Sequence, residues 1–154
     1  MRRLKAAAFF ERKSMVILAV DYGYARTGLA ICDAGEILAS PIGVIRENYM
    51  PKVAKEIASV AAQREAELVV VGLPLNMDGT RGEHAQASEQ LASILENEYG
   101  LKVSLYDERL TTVEAYNLLS EAETFGKKRK EAVDQVAATI ILEDFLRTAR
   151  KNGD

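Results

Sequence analysis

Apolar positions along the chain follow two different periods, and the change between them divides it. Residues 16–20 form an unbroken apolar run rich in β-branched side chains, which predicts a buried strand. Asp21 sits at its end. Gly23 follows and permits a tight turn with positive φ. A second apolar run over residues 26–32 predicts the other arm of an antiparallel hairpin. After an Asp33-Ala34-Gly35 turn, residues 36–45 predict a third strand, with Pro41 marking an edge position or a bulge. The period then becomes helical over residues 50–66, where Val53, Ala54, Ile57, Ala58, Val60 and Ala61 share a face. Residues 68–72 are apolar without polar alternation, the mark of a strand covered on both faces in a parallel sheet. Leu73-Pro74-Leu75-Asn76-Met77-Asp78-Gly79 reads as a loop. Thr80 and Glu83 have capping-box spacing and open a helix that runs to Tyr99, where Gly100 stops it. Residues 102–106 predict a fifth strand, closed by Asp107-Glu108-Arg109. Thr111 and Glu114 open a short helix over residues 111–122. Phe125-Gly126-Lys127-Lys128-Arg129-Lys130 reads as a basic connection, and a last helix covers residues 130–150.

The resulting order, β-β-β-α-β-α-β-α-α, predicts an α/β fold: a five-stranded mixed sheet with helices on both faces. In such sheets the ligand crevice lies beyond the carboxyl ends of the parallel strands. Asp21 and Glu108 both fall at such ends.

Composition narrows the classes. The 154 residues suit one domain with a substantial core. Residues 1–14 precede the first strand and read as a flexible extension, so the expected folded domain is 15–150. Arg2, Arg3 and Lys5 before an apolar stretch faintly resemble a signal peptide, but Glu11, Arg12 and Lys13 interrupt it. No apolar run is long enough to span a bilayer, and a cytoplasmic location without membrane contact is the expectation. The net charge of −3 neither argues for nucleic-acid binding nor excludes it, because local patches outweigh the sum. Cys32 is the single cysteine, which rules out an internal disulfide and reads as a core residue. His84, the single histidine, reads as a solvated helix residue; with no His/Cys cluster, zinc chemistry has no ligands.

The acids carry the candidate chemistry. Asp21 ends strand one and Glu108 ends strand five. Asp134 shares helical spacing with Ala137, Ala138, Ile141 and Phe145, so it lies on the face expected to pack on the sheet. An acid on a buried face needs a cationic partner. Mg²⁺ and Mn²⁺ prefer such hard oxygen ligands and can activate water against a phosphodiester. Ordinary roles exist for each acid: a turn cap for Asp21, an ion pair with Arg109 for Glu108, a helix-dipole complement for Asp134. Convergence of all three on one crevice favours a metal site. Asp107 rivals Glu108, and strand alternation sends the two to opposite sides. Arg26 and Asn76 are candidate substrate contacts, and Lys127, Lys128 and Arg129 a block that could track a sugar-phosphate backbone.

These residues resemble a known family. Asp21-Tyr22-Gly23…Arg26…Gly28, Gly72-Leu73-Pro74-Leu75-Asn76-Met77-Asp78-Gly79, Asp107-Glu108-Arg109-Leu110-Thr111-Thr112…Glu114-Ala115 and Asp134…Ala137-Ala138…Ile141-Leu142 are similar to the motifs of the YqgF (RuvX) family, in order, over residues 15–146. The resemblance implies a ribonuclease H-like fold and a Mg²⁺- or Mn²⁺-dependent nuclease site with Asp21, Glu108 and Asp134 as the acidic triad. It also implies hydrolysis of structured RNA at the 5′ end of pre-16S rRNA, with precursor rRNA or a pre-ribosomal particle as partner; a monomer or weak homodimer is the expected acting species. Alternatives are a Holliday-junction resolvase on branched DNA, which favours a symmetric dimer, an inactive nucleic-acid-binding protein of the same fold, and an actin-like kinase or ATPase. The chain is too short for the second domain the last of these ordinarily uses.

Overall fold

The computed structural model describes residues 15–32, 39–110 and 127–151; at 110, 127–135 and 149–151 it describes the backbone alone. The expected extension (1–14), the turn at 33–35, the start of the third strand and the helix over 111–122 lie outside the described residues.

Five strands form one sheet: β1 (Ile17–Asp21), β2 (Thr27–Cys32), β3 (Ser40–Ile45), β4 (Leu68–Leu73) and β5 (Val103–Asp107), in the order β3-β2-β1-β4-β5. β1 pairs antiparallel with β2 and parallel with β4, and β4 pairs parallel with β5. The mixed sheet read from the periodicity is therefore present. β3 lies at the sheet edge, and its register against β2 shifts between Leu29 and Ala30, next to Pro41. An edge position tolerates a residue with no N–H to donate.

α1 (Met50–Gln63) and α2 (Glu83–Tyr99) cover one face. Leu18 and Val20 of β1 and Val69 and Val71 of β4 pack there against Val53, Ile57, Leu91 and Leu95. The alternate residues Ile17, Ala19, Ala30, Cys32, Val70 and Tyr106 face Ala138, Ile141 and Leu142 of α3 (Lys127–Lys151). Burial on both sides is why β1 and β4 lack polar alternation. Each fully buried Val or Leu of these strands contributes about 1.5–3 kcal/mol.

Several boundaries differ from the expectations. α1 stops at Gln63 because Glu65 turns left-handed (φ 56°). Its N–H donates to Ala62 O and that of Ala66 to Ala61 O, a Schellman closure built without glycine. The Thr80–Glu83 capping box does not form: α2 is capped by Gly82 with no side-chain hydrogen bond, and Thr80 is used inside the preceding loop. Gly100 does end α2 in the left-handed conformation (φ 65°). Lys127, Lys128, Arg129 and Lys130 are not a connection but the first turn of α3. Among the described residues no helix is long and apolar enough to cross a membrane.

Candidate active site at the carboxyl edge of the sheet

Asp21 is the last residue of β1, and Ile17 and Ala19 before it face α3. Side chains alternate along a strand, so Asp21 belongs to the α3 side. Val20 is in register with Val71, which places Asp21 beside Gly72 at the end of β4. Gly72 is in register with Tyr106, and Leu73 with Asp107. Glu108 therefore begins one residue beyond the paired region, in a single 3₁₀ turn (Glu108–Leu110). Its carboxyl group folds over Gly72. A Cβ added at Gly72 would lie 3.0 Å from Glu108 Oε2 and 2.8 Å from Ile141 Cδ1. The missing side chain of Gly72 thus makes room both for Glu108 and for the close approach of α3. Asp21, at the end of β1, and Glu108, just past the end of β5, stand on either side of β4, whose Gly72 leaves this gap.

Electrostatics separate Glu108 from its rival. Asp107 is held by Arg109, whose Nε lies 3.1 Å from both carboxylate oxygens and whose Nη2 donates to Oδ2 at 2.8 Å. The Arg109 backbone N–H donates to Asp107 Oδ1 as well, at 2.9 Å. This guanidinium keeps the Asp107 carboxyl below its ordinary range. The expected alternative pairing of Glu108 with Arg109 is therefore not the one made. Burial instead pushes the Glu108 carboxyl up; His84 opposes the shift and the negative charge of Asp107 adds to it. A carboxylate desolvated in this way is the kind a bound cation offsets.

The third acid comes from α3. Position 134 lies one turn before Ala138 and two before Ile141, on the stripe those residues lay against the sheet. The side chain of Asp134 falls outside the described set, as do those of Lys127, Lys128 and Arg129. Among the described residues no three His, Cys, Asp or Glu side chains form a metal-holding group.

Two loops frame the edge. In the β1–β2 turn Gly23 does not use the positive φ that glycine permits. Its role is steric, because a Cβ there would collide with the Arg26 carbonyl. Arg26, half-buried in the same turn, directly precedes β2. After β4, Asn76 N–H donates to Thr80 O and Gly79 N–H to Asn76 O, closing a tight loop with Gly79 at φ 88°. Asn76 Nδ2 donates to Thr80 Oγ1 at 2.9 Å, and Thr80 Oγ1 donates to Asp78 Oδ1 at 2.6 Å. Asn76, expected to contact substrate, is thus engaged in shaping its loop. Arg109 Nη1 also donates to Met77 O at 3.3 Å, so one guanidinium ties this loop to the end of β5.

His84 lies at the same edge. It is not a solvated helix residue. Its Nε2 lies 2.7 Å from Tyr22 O, and its ring stacks on Tyr24. Its place in the first turn of a helix that starts at this sheet edge was the available signal.

A family model described as "RuvX: Holliday junction resolvase" matches residues 15–148. A "Putative pre-16S rRNA nuclease" of Desulfitobacterium hafniense is 41% identical over 140 residues, covering 90% of this chain and 97% of that protein. One of the same description from Rhodopirellula baltica is 39% identical over 138 residues, covering 90% and 80%. Among solved structures, RuvC of T. thermophilus in complex with a Holliday junction substrate superposes with a TM-score of 0.57 at 15% identity, covering 88% of this chain and 96% of that one. The Fowlpox virus resolvase bound to Holliday junction DNA gives 0.51 at 12% identity, covering 88% and 99%. At such identities the likeness is one of fold, and that fold is ribonuclease H-like. The family match covers the sheet and its helices, and on it the chain belongs to the RuvX (YqgF) family of nucleases.

Proposed function

We propose that the chain is a metal-dependent endonuclease that hydrolyses phosphodiester bonds of structured RNA, trimming the 5′ end of pre-16S rRNA in the cytoplasm, with residues 15–150 as the nuclease domain. The observation that carries the reading is the Glu108 carboxyl, buried over Gly72 beside the strand end that bears Asp21. The substrate is suggested by the pre-16S rRNA nuclease description shared by relatives of similar length.

Asp21, Glu108 and Asp134 would hold Mg²⁺ or Mn²⁺. The donors are carboxylate oxygens, which these hard ions prefer, and a cation offsets the desolvation that raises Glu108. When bound, such ions supply Lewis-acid activation of a water and stabilisation of the leaving oxygen. The chain's own residues bind and orient. Arg26 lies in the turn after Asp21 and can hold a phosphate oxygen. Asn76 shapes the loop facing the substrate. Lys127, Lys128 and Arg129 stand in the first turn of α3, where no acid accompanies them. Cations there oppose the helix macrodipole, and a phosphate backbone alongside would relieve both that cost and their mutual repulsion.

The test is cleavage of a precursor 16S rRNA fragment and of a four-way DNA junction, each with Mg²⁺, Mn²⁺ or chelator. Metal-dependent RNA cleavage lost in Asp21→Asn, Glu108→Gln and Asp134→Asn supports the proposal. Junction cleavage with inert RNA would transfer the same chemistry to branched DNA, the substrate that the family description favours. Binding without cleavage of either would leave a nucleic-acid-binding protein.

A further inference from the structure

Three rings form a cluster at the rim of the acid crevice. His84 stacks on Tyr24 with centroids 5.0 Å apart and planes 29° from parallel. Tyr22 meets both edge-on, at 6.0 Å from Tyr24 and 6.1 Å from His84. A carbonyl oxygen only accepts, so His84 Nε2 carries the hydrogen in its 2.7 Å contact with Tyr22 O, which fixes the imidazole plane. Tyr22 is buried, yet Tyr24 keeps 53% of its surface exposed. An exposed tyrosine normally samples several rotamers; here two neighbouring rings restrain it with much of its surface in water. An aromatic surface held ready in this way loses little entropy when a flat apolar partner stacks on it.

We infer that the Tyr24–His84 stack is a platform for an unpaired nucleobase of the nucleotide next to the cleaved phosphate. The placement follows from the chain: Tyr24 is three residues beyond Asp21, and His84 is bonded to the carbonyl of Tyr22, the residue next to Asp21. A base on the platform belongs to a nucleotide whose phosphate lies at the acids. A base inside a continuous duplex has both faces occupied by its neighbours and cannot stack there. The substrate is therefore unpaired on at least one side of the cut, as in a single-stranded flank, a bulge or a branch point. The inference rests on the nuclease reading only for the position of the cut; the stacking itself does not depend on hydrolysis.

The probe is a short RNA carrying one 2-aminopurine, whose fluorescence falls on stacking, single-stranded or annealed to its complement. Binding is measured in chelator at low salt, so cleavage plays no part. The wild-type chain quenches the single-stranded probe and binds it more tightly than the duplex. Tyr24→Ala weakens that binding about ten-fold, within the range for one base–aromatic stack, and loses the quenching. Tyr24→Phe retains both, and His84→Ala shifts both toward the Tyr24→Ala values. Tyr24→Ala behaving as wild type overturns the platform, as does a Tyr24→Phe protein as impaired as Tyr24→Ala, or equal affinity for duplex and single strand. An active nuclease with an unaffected Tyr24→Ala variant rejects the platform alone; quenching by a protein that cleaves nothing rejects the nuclease alone.

Discussion

Gly72→Ala tests the site's geometry with a single carbon atom. The added Cβ would stand 2.8 Å from Ile141 Cδ1, 3.0 Å from Glu108 Oε2 and 3.1 Å from Glu108 Cδ. Ordinary carbon contacts lie at about 3.5–4.0 Å, so both neighbours must give by several tenths of an ångström. Gly72 is not in the left-handed region, so alanine adds no backbone strain. Ile141 Cδ1 is the end of a flexible side chain and moves cheaply; the Glu108 carboxyl moves at the expense of its alignment. Overpacking of this kind costs about 1–3 kcal/mol, and replacing glycine returns about 0.4–1 kcal/mol through the unfolded chain. The net loss is roughly 0–2.5 kcal/mol, a fall in Tm of at most about 10 °C for a domain of this size. Displacing a catalytic group by about 1 Å costs on the order of 10²-fold in rate. The assay pairs initial cleavage rates at saturating Mg²⁺ with thermal melting. Ile141→Val in the same chain removes Cδ1 and restores stability without restoring the rate, because the contact with Glu108 persists. Wild-type cleavage by Gly72→Ala would refute the reasoning: Glu108 would then act elsewhere or not at all.

Three further outcomes follow from the same contacts. Burial raises Glu108 in the folded chain above its unfolded value, so the stability tied to its neutral form is present at low pH and lost as pH climbs through the raised value. In chelator, Glu108→Gln therefore melts progressively higher than wild type as pH increases from about 4 to 8, and parallel melting curves would contradict this. Arg109→Ala frees Asp107 and the Met77 carbonyl together; the pair is open to solvent, so its contribution to stability is small. Its main expected effect is faster amide exchange at Asn76, Gly79 and Thr80 and a higher KM, so unchanged exchange would show that the loop holds itself. Replacing Lys127, Lys128 and Arg129 with glutamine lowers the slope of log affinity against log salt by about 0.7 per lost contact on single-stranded RNA. An unaltered slope would mean that these cations do not meet phosphate.

Much of the sheet was legible because its evidence is local. An apolar run buried on both faces leaves no polar alternation, and this shows in the residues of β1 and β4 themselves. The meander, the edge position of Pro41 and the Gly100 stop are local signals too. Boundaries were less legible where a tertiary or loop contact competes with a local motif. Thr80 has capping-box spacing, but Asp78 and Asn76 claim its hydroxyl, and Gly82 caps the helix instead. Glu65 closes α1 in a conformation that sequence reasoning reserves for glycine. At the site, Glu108 was already preferred to Asp107 from the sequence, with alternation sending the two to opposite sides; the guanidinium of Arg109 on Asp107 adds a physical contrast between them that no local pattern displays. The Tyr24–His84 stack joins residues sixty positions apart, one in the β1–β2 turn and one in the first turn of α2, and no periodicity encodes such a contact. Gly72 looked like a strand end, and its steric purpose depends on Ile141, far along the chain.

The claim on which the account turns is that Asp21, Glu108 and Asp134 share divalent cations. Crystals soaked in Mn²⁺ and measured at its absorption edge test it directly. The account predicts anomalous density between the three carboxylates, absent from Glu108→Gln crystals soaked in the same way. Manganese bound only at other acids, or none between these three at saturating concentration, would contradict it.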